Sequence, residues 1–88
     1  MRCEIDLIFL NKETRTIIFV EVKTRANKNY GEPEDSVTFY KQRNIQKAAY
    51  GFMIKYPKYE SYDIRFDIIS IMFESEKEYK ISHIEEAF

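Results

Sequence analysis

Three charged side chains in this sequence interrupt apolar runs, and their spacing suits chemistry on phosphate esters. "IIFVEVKTR" (Ile17 to Arg25) is β-branched and apolar until Glu21, and Lys23 follows two residues later. "EIDLIFL" sets Asp6 in a similar apolar run upstream. Side chains two apart on a strand point to one face, so Glu21 shares a face with Lys23, and Glu4 with Asp6. A hairpin that sets Leu10 opposite Ile17 also sets Asp6 opposite Glu21 and Glu4 opposite Lys23. Two facing carboxylates repel, and one of them tends to keep a proton. A hard divalent cation such as Mg²⁺ (or Mn²⁺) removes that conflict, because it is held by one or two carboxylates together with waters and phosphate oxygens. The backbone carbonyl of Val22 adds a further ligand. Lys23 would then lie near a bound phosphate, where it can orient or activate a water or offset developing charge. The ordinary alternative is a group of exposed cross-strand pairs worth roughly a few tenths of a kcal/mol. A lone Glu-x-Lys carries little weight; the acid on the neighbouring strand is what raises it.

The elements that must position these residues are legible from pattern. Glu4 to Leu10 reads as a strand, Asn11 to Arg15 as a polar turn and Thr16 to Lys23 as a second strand. Ala26 to Ser36 is a loop punctuated by Gly31 and Pro33. A helix starts near Val37 to Phe39 and runs to about Tyr56, just before Pro57. Ile45, Ala48, Ala49, Phe52, Met53 and Tyr56 recur at the spacing of one buried face, and Lys41, Arg43, Lys47 and Lys55 fall mostly outside it. Tyr62 to Phe73 is a third strand, and Tyr79 to Ile84 a fourth at the sheet's edge. The order β-β-α-β-β predicts an α/β layer with a mixed sheet and one main helix packed on it. The second strand is apolar on both sides, which one helix cannot cover, so a further helix or a partner subunit is expected on the other face.

Eighty-eight residues make one small domain, residues 1–88, without repeat or linker. Two Gly and two Pro exclude a low-complexity chain, and no apolar run is long enough for a membrane span. The N-terminus is broken at once by Glu4 and Asp6, unlike a signal peptide, and the single Cys3 fits a reducing cytoplasm. A formal net charge of −1 argues against an indiscriminate polyanion binder. The distribution is uneven, however. Ser36 to Tyr59 holds five basic residues and no acidic one, whereas Glu60 to Phe88 holds eight acidic and three basic. The middle of the chain is a local positive zone that can meet phosphates, or else a solvated helix face.

An Asp on one strand, Glu-x-Lys on the next, then a helix and a strand resemble the PD-(D/E)XK nuclease superfamily with its restriction-endonuclease-like core. "EIDLIF", "FVEVKTR", "YGEPEDSVTFYKQR", "RFDIIS" and "HIEEAF" resemble, in order and spacing, the YraN-like family of small bacterial proteins, over nearly the whole chain. Gly31, Pro33, Val37, Thr38, Lys41 and Gln42 carry the most specific part of the match. The resemblance implies that Asp6 and Glu21 are metal ligands and Lys23 the catalytic lysine. It sets Lys41 and Gln42 beside the same site. Arg25, Lys41, Gln42 and Arg43 are the candidate nucleic-acid contacts. Gln46 and Tyr50 also match a Q-x-x-x-Y spacing of RecB-like nucleases, but Tyr50 is as easily a packing residue of the helix and the family match does not need it. Asp67 is expected to pair with Arg65 or a neighbouring loop rather than bind metal. His83 reads as structural, and Tyr30 as loop packing.

Two departures qualify the match. Ile5 replaces the proline of the signature, and Cys3 stands where the family has glycine. The family begins with a helix and a strand ahead of the Asp6 motif, so the chain is expected to be shortened at its N-terminus. A homodimer or another partner would then cover the sheet, with exposed apolar surface around Ile5, Leu7 and Phe9 or under the second strand. The leading function is a Mg²⁺-dependent endonuclease acting on DNA. The alternatives are a nucleic-acid-binding module of the same fold without cleavage, and a small interaction protein.

Overall fold

The computed structural model describes residues 5–26 and 37–88. Cys3, Glu4, Tyr30, Gly31 and Pro33 lie outside them. Four strands form one sheet in the order β1 (Leu7–Asn11), β2 (Thr16–Arg25), β3 (Asp63–Phe73) and β4 (Tyr79–Ile84). The helix α1 (Phe39–Lys55) joins β2 to β3, which run parallel, while the two outer pairs are antiparallel. Parallel neighbours need a crossover connection, and α1 supplies it. The expected order β-β-α-β-β and the mixed sheet are therefore what the chain forms.

The first hairpin pairs Leu10 with Ile17, as the sequence predicts. Asn11 closes it by accepting bonds from the Glu13 and Thr14 backbone N–H groups at 3.1 and 3.2 Å, and Arg15 takes a left-handed φ of 54°. β1 differs from expectation at its start. It begins at Leu7, not Glu4, so Asp6 precedes the ladder. β2 runs on to Arg25 because β3 accompanies it as far as the Arg25–Met72 pair. α1 starts where Thr38 caps it, its side chain accepting from the Lys41 N–H at 3.2 Å. The helix ends at Lys55, two residues before Pro57.

The core lies between α1 and one sheet face. Ile17 and Phe19 of β2 meet Ala49, whose small side chain lets the helix approach. Phe19 stacks on Phe66 and meets the edge of Phe52, each at 5.7 Å between centroids. Val37, Ile45 and Ile68 continue the core, with Ala87 and Phe88 of the C-terminal residues packed beside them. Burying Phe19 completely removes one of the largest apolar surfaces from water, worth roughly 1.5–3 kcal/mol. Two expected packing residues depart from the pattern. Tyr50 is 61% exposed, because it lies on the side of the helix turned from the sheet, and Tyr56 leaves the helical stripe at the C-cap.

α1 covers only one face. On the other, Leu7 and Phe9 are exposed as expected, together with Phe73, Tyr79 and Ile81, whereas Val20 of the second strand is itself buried. Ile5 is the exception to the expected exposed patch. It is half-buried and packs against both parts of the core. Among the described residues no helix is long and apolar enough to cross a membrane.

Candidate active site

The site grows from the place where β1 stops. Its last pair is Leu7 with Val20, whereas β2 continues through Glu21, Val22 and Lys23 with only β3 beside it. Asp6 sits just outside the ladder and turns its carboxylate onto the bare edge. Asp6 Oδ2 accepts the Val22 N–H at 2.8 Å, taking the place of a backbone bond. The N–H and C=O of one strand residue point to the same side, so the Val22 carbonyl also opens toward Asp6. Glu21 lies on the α1 face, where alternation along β2 also puts Lys23 and Arg25. Lys23 Nζ stands 3.3 Å from Glu21 Oε1, with both side chains more than four-fifths buried.

The first turn of α1 completes the group. Lys41 reaches the Lys23 amine, so the helix start adjoins the Asp6–Glu21 pair as the sequence predicts. That contact, with Glu21 and Asp6 adding attraction, holds the Lys23 pKa above the ordinary lysine value despite partial burial. The same contact lowers that of Lys41, with burial and repulsion from Lys23 acting in the same direction. The remaining nucleic-acid candidates separate. Arg43 is exposed on α1. Gln42 donates its amide to the Val37 carbonyl at 3.1 Å and so closes the helix start. Arg25 is only 8% exposed, so its guanidinium is buried at the end of β2 rather than presented to solvent.

The donor set suits a hard cation. Among the described residues, Asp6 Oδ1 and Glu21 Oε2 carry no hydrogen bond or ion pair, and no three His, Cys, Asp or Glu side chains cluster as a metal site. Two carboxylates and one carbonyl match Mg²⁺ or Mn²⁺, which keep several waters and share the rest of the shell with substrate phosphate. They do not match a closed structural site.

Asp67 provides the contrast. It is fully buried on the face turned from α1. Arg65 grips it with two bonds of 2.9 Å, the Glu86 N–H donates at 3.1 Å, and His83 Nε2 lies at 2.7 Å. Burial alone would raise its pKa, but Arg65, His83 and the Glu86 N–H outweigh that and lower it. Every acceptor position of this carboxylate is used, which fits the expectation that Asp67 pairs with Arg65 and that His83 is structural. The link between Asp67 and His83 is not among the sequence expectations. Closing β3 and β4 around "ESEKE" is the signal that reveals it, because His83 faces Ile69 and lies diagonally across from Asp67.

Residues 1–71 match the model of the family described as Uncharacterised protein family UPF0102. A UPF0102 protein of Clostridium beijerinckii is 44% identical over 86 residues, which cover 97% of this chain and 68% of the relative. One from Pelobacter propionicus is 40% identical over 85 residues, covering 97% of this chain and 60% of the relative. One from Caldicellulosiruptor bescii is 42% identical over 86 residues, covering 97% and 71%. The chain thus spans about two thirds of the length of these relatives. It belongs to the UPF0102 family, the YraN-like family whose motifs run through its strands and helix start.

Proposed function

We propose that this chain is a metal-dependent endonuclease-like domain that hydrolyses phosphodiester bonds of DNA. One observation carries the reading: at the end of β2, Asp6, Glu21, the Val22 main chain, Lys23 and Lys41 converge with two carboxylate oxygens left open among the described residues. The β-β-α-β-β order and the Asp, Glu-x-Lys placement also agree with the PD-(D/E)XK superfamily. Asp6 and Glu21 would hold the cation, with the Val22 carbonyl as a third ligand. Bound there, Mg²⁺ or Mn²⁺ would polarise the phosphoryl group and make a water more acidic. The chain's own groups do the rest. Glu21 fixes the Lys23 amine, and the Lys23 ammonium would offset charge that develops on the phosphoryl oxygens. Lys41 stands next to Lys23. Water oxygen attacks phosphorus, the ester P–O bond breaks, and the proton that the water gives up is matched by one that the departing oxygen takes from solvent.

A second reading is a nucleic-acid-binding module without cleavage. It is favoured by the small ligating set among the described residues. Incubation with Mg²⁺ or Mn²⁺ and single-stranded, duplex or branched DNA separates the two, with Glu21→Gln as control. The expected outcome is metal-dependent cutting that falls by more than about 100-fold in Glu21→Gln. A Mg²⁺-induced rise in melting temperature should shrink in the same variant. Cutting that survives Glu21→Gln rejects this site. No cutting, together with binding that weakens steeply with salt, selects the second reading.

A further inference from the structure

We infer that the outward side of α1 is a binding surface for single-stranded nucleic acid, on which aromatic side chains stack unpaired bases while lysine and arginine meet the phosphates. The inference rests on the nucleic-acid reading above and adds the substrate class and the surface.

At 100° per residue, Phe39, Tyr40, Arg43, Lys47, Tyr50 and Ile54 fall within about 100° of the helix circumference. This arc is turned away from the buried Ile45 and Ala49. Phe39 and Tyr40 are both 72% exposed, as far out in water as helix surface lysines usually are. Aromatic rings left in solvent on a helix that already buries its other side contribute nothing to the core. They instead flank two cations, Arg43 and Lys47. Arg43 and Lys47 make no ion pair among the described residues, and the chain has no acidic residue from Ser36 to Tyr59. From Phe39 to Tyr50 the arc is about 16 Å long. Its first turn also carries Lys41, about 100° round the helix from Tyr40, beside the candidate active site.

Charge and shape choose the occupant. A stripe whose charged members, Arg43 and Lys47, are both cationic repels a second copy of itself across a twofold contact. It attracts a polyanion. Rings that project from a convex helix cannot reach bases stacked inside a duplex, but they offer faces to bases that are unpaired. Alternating aromatic and basic side chains are the combination that holds single strands without sequence preference. The site at the head of the stripe would then receive a strand whose bases are already splayed, as at an end, a flap or a branch.

The test is fluorescence anisotropy in EDTA, so cleavage plays no part. The probes are a labelled oligothymidylate, an abasic strand of the same length and a matched duplex. Single strand is expected to bind more tightly than duplex, and the abasic strand more weakly than oligothymidylate. Phe39→Ala, Tyr40→Ala and Tyr50→Ala should each loosen oligothymidylate binding by about 5- to 150-fold. Tyr50→Phe should retain it. Melting temperatures should stay near that of the parent, since these side chains are mostly in water. Equal binding of the abasic strand, preference for duplex, unchanged affinity in all three alanine variants, or binding of an acidic peptide in place of DNA would each overturn the inference. A protein that cuts duplex DNA normally with these alanines in place would keep the endonuclease reading and lose this one. A protein that binds through the rings but never cuts would do the reverse.

Discussion

On the sheet face turned from α1, the Asp67 carboxylate has no exposed surface and accepts four hydrogen bonds, two of them from Arg65. On the face toward α1, Asp6 accepts one bond from Val22, and Glu21 meets Lys23 through one oxygen. Both groups combine carboxylate and cation on neighbouring strands, yet they stand in different electrostatic conditions. A buried charge is tolerable only when its lone pairs are filled, and Asp67 meets that condition completely. The Asp6–Glu21 pair sits where β1 has ended, keeps oxygens open and places like charges close together. That arrangement costs stability unless something cationic occupies it. The difference suggests what distinguishes a carboxylate that holds a fold from one that waits for a ligand: saturation of its oxygens, more than burial or residue type.

The contrast breaks if both groups respond alike to loss of charge. Asp67→Asn should destabilise the fold toward the lower end of roughly 3–5 kcal/mol, because it leaves Arg65 facing an amide while that side chain is still 25% exposed. Glu21→Gln should cost less, about 1 kcal/mol, since it removes a single contact of a mostly buried carboxylate and relieves repulsion from Asp6. Urea unfolding of both variants measures the two effects. A Glu21→Gln loss as large as that of Asp67→Asn would make Glu21 a structural residue.

Acid sharpens the same comparison. The folded state lowers the Asp67 pKa below its ordinary value of 3.8. The stabilisation it supplies is therefore fully present above that value and is lost as pH falls through the lower, folded pKa. The stability gap between the parent and Asp67→Asn should stay constant from neutral pH down to about 4 and narrow below it. Melting curves from pH 7 to pH 2 test this. A gap that persists undiminished at the acid end would mean that shape, not charge, holds Asp67 in place.

Much of this arrangement is legible in the amino-acid sequence. The hairpin register follows from alternation around "NKETR", and the helix limits follow from Thr38 and Pro57. The register brings Asp6 toward Glu21. What the sequence hides is physical. No local signal says that β1 stops at Leu7, because Asp6 leaves the ladder only by taking a bond from Val22 on another strand. The same holds for Arg25, whose burial depends on what packs at the far end of β2. Tyr50 misleads because an aromatic on an amphipathic helix suggests core, yet its neighbours on the wheel, Phe39 and Arg43, point outward with it. Ile5 is expected on the open face, but it precedes the strand, so strand alternation does not govern it.

The apolar side of the open face supplies the smallest effect. Phe9 faces away from α1 opposite Ile18 and is 49% exposed. With Ile18, Val20, Ile69 and His83 it lines an open concavity of about 750 Å³. Phe9→Thr keeps strand propensity and gives up a half-wet ring, so it should cost less than about 1 kcal/mol in urea unfolding, far below the roughly 3–5 kcal/mol expected when a fully buried phenylalanine such as Phe19 is cut to Ala. It should also reduce binding of a dye that reports exposed apolar surface. A loss of several kcal/mol on Phe9→Thr that grows with protein concentration would show that another copy of the chain covers this face in solution. A loss of that size at every concentration would show that the ring is packed within the chain itself. A small loss leaves the two faces as the sheet presents them, one closed by α1 around a charged site and the other apolar and open around a saturated one.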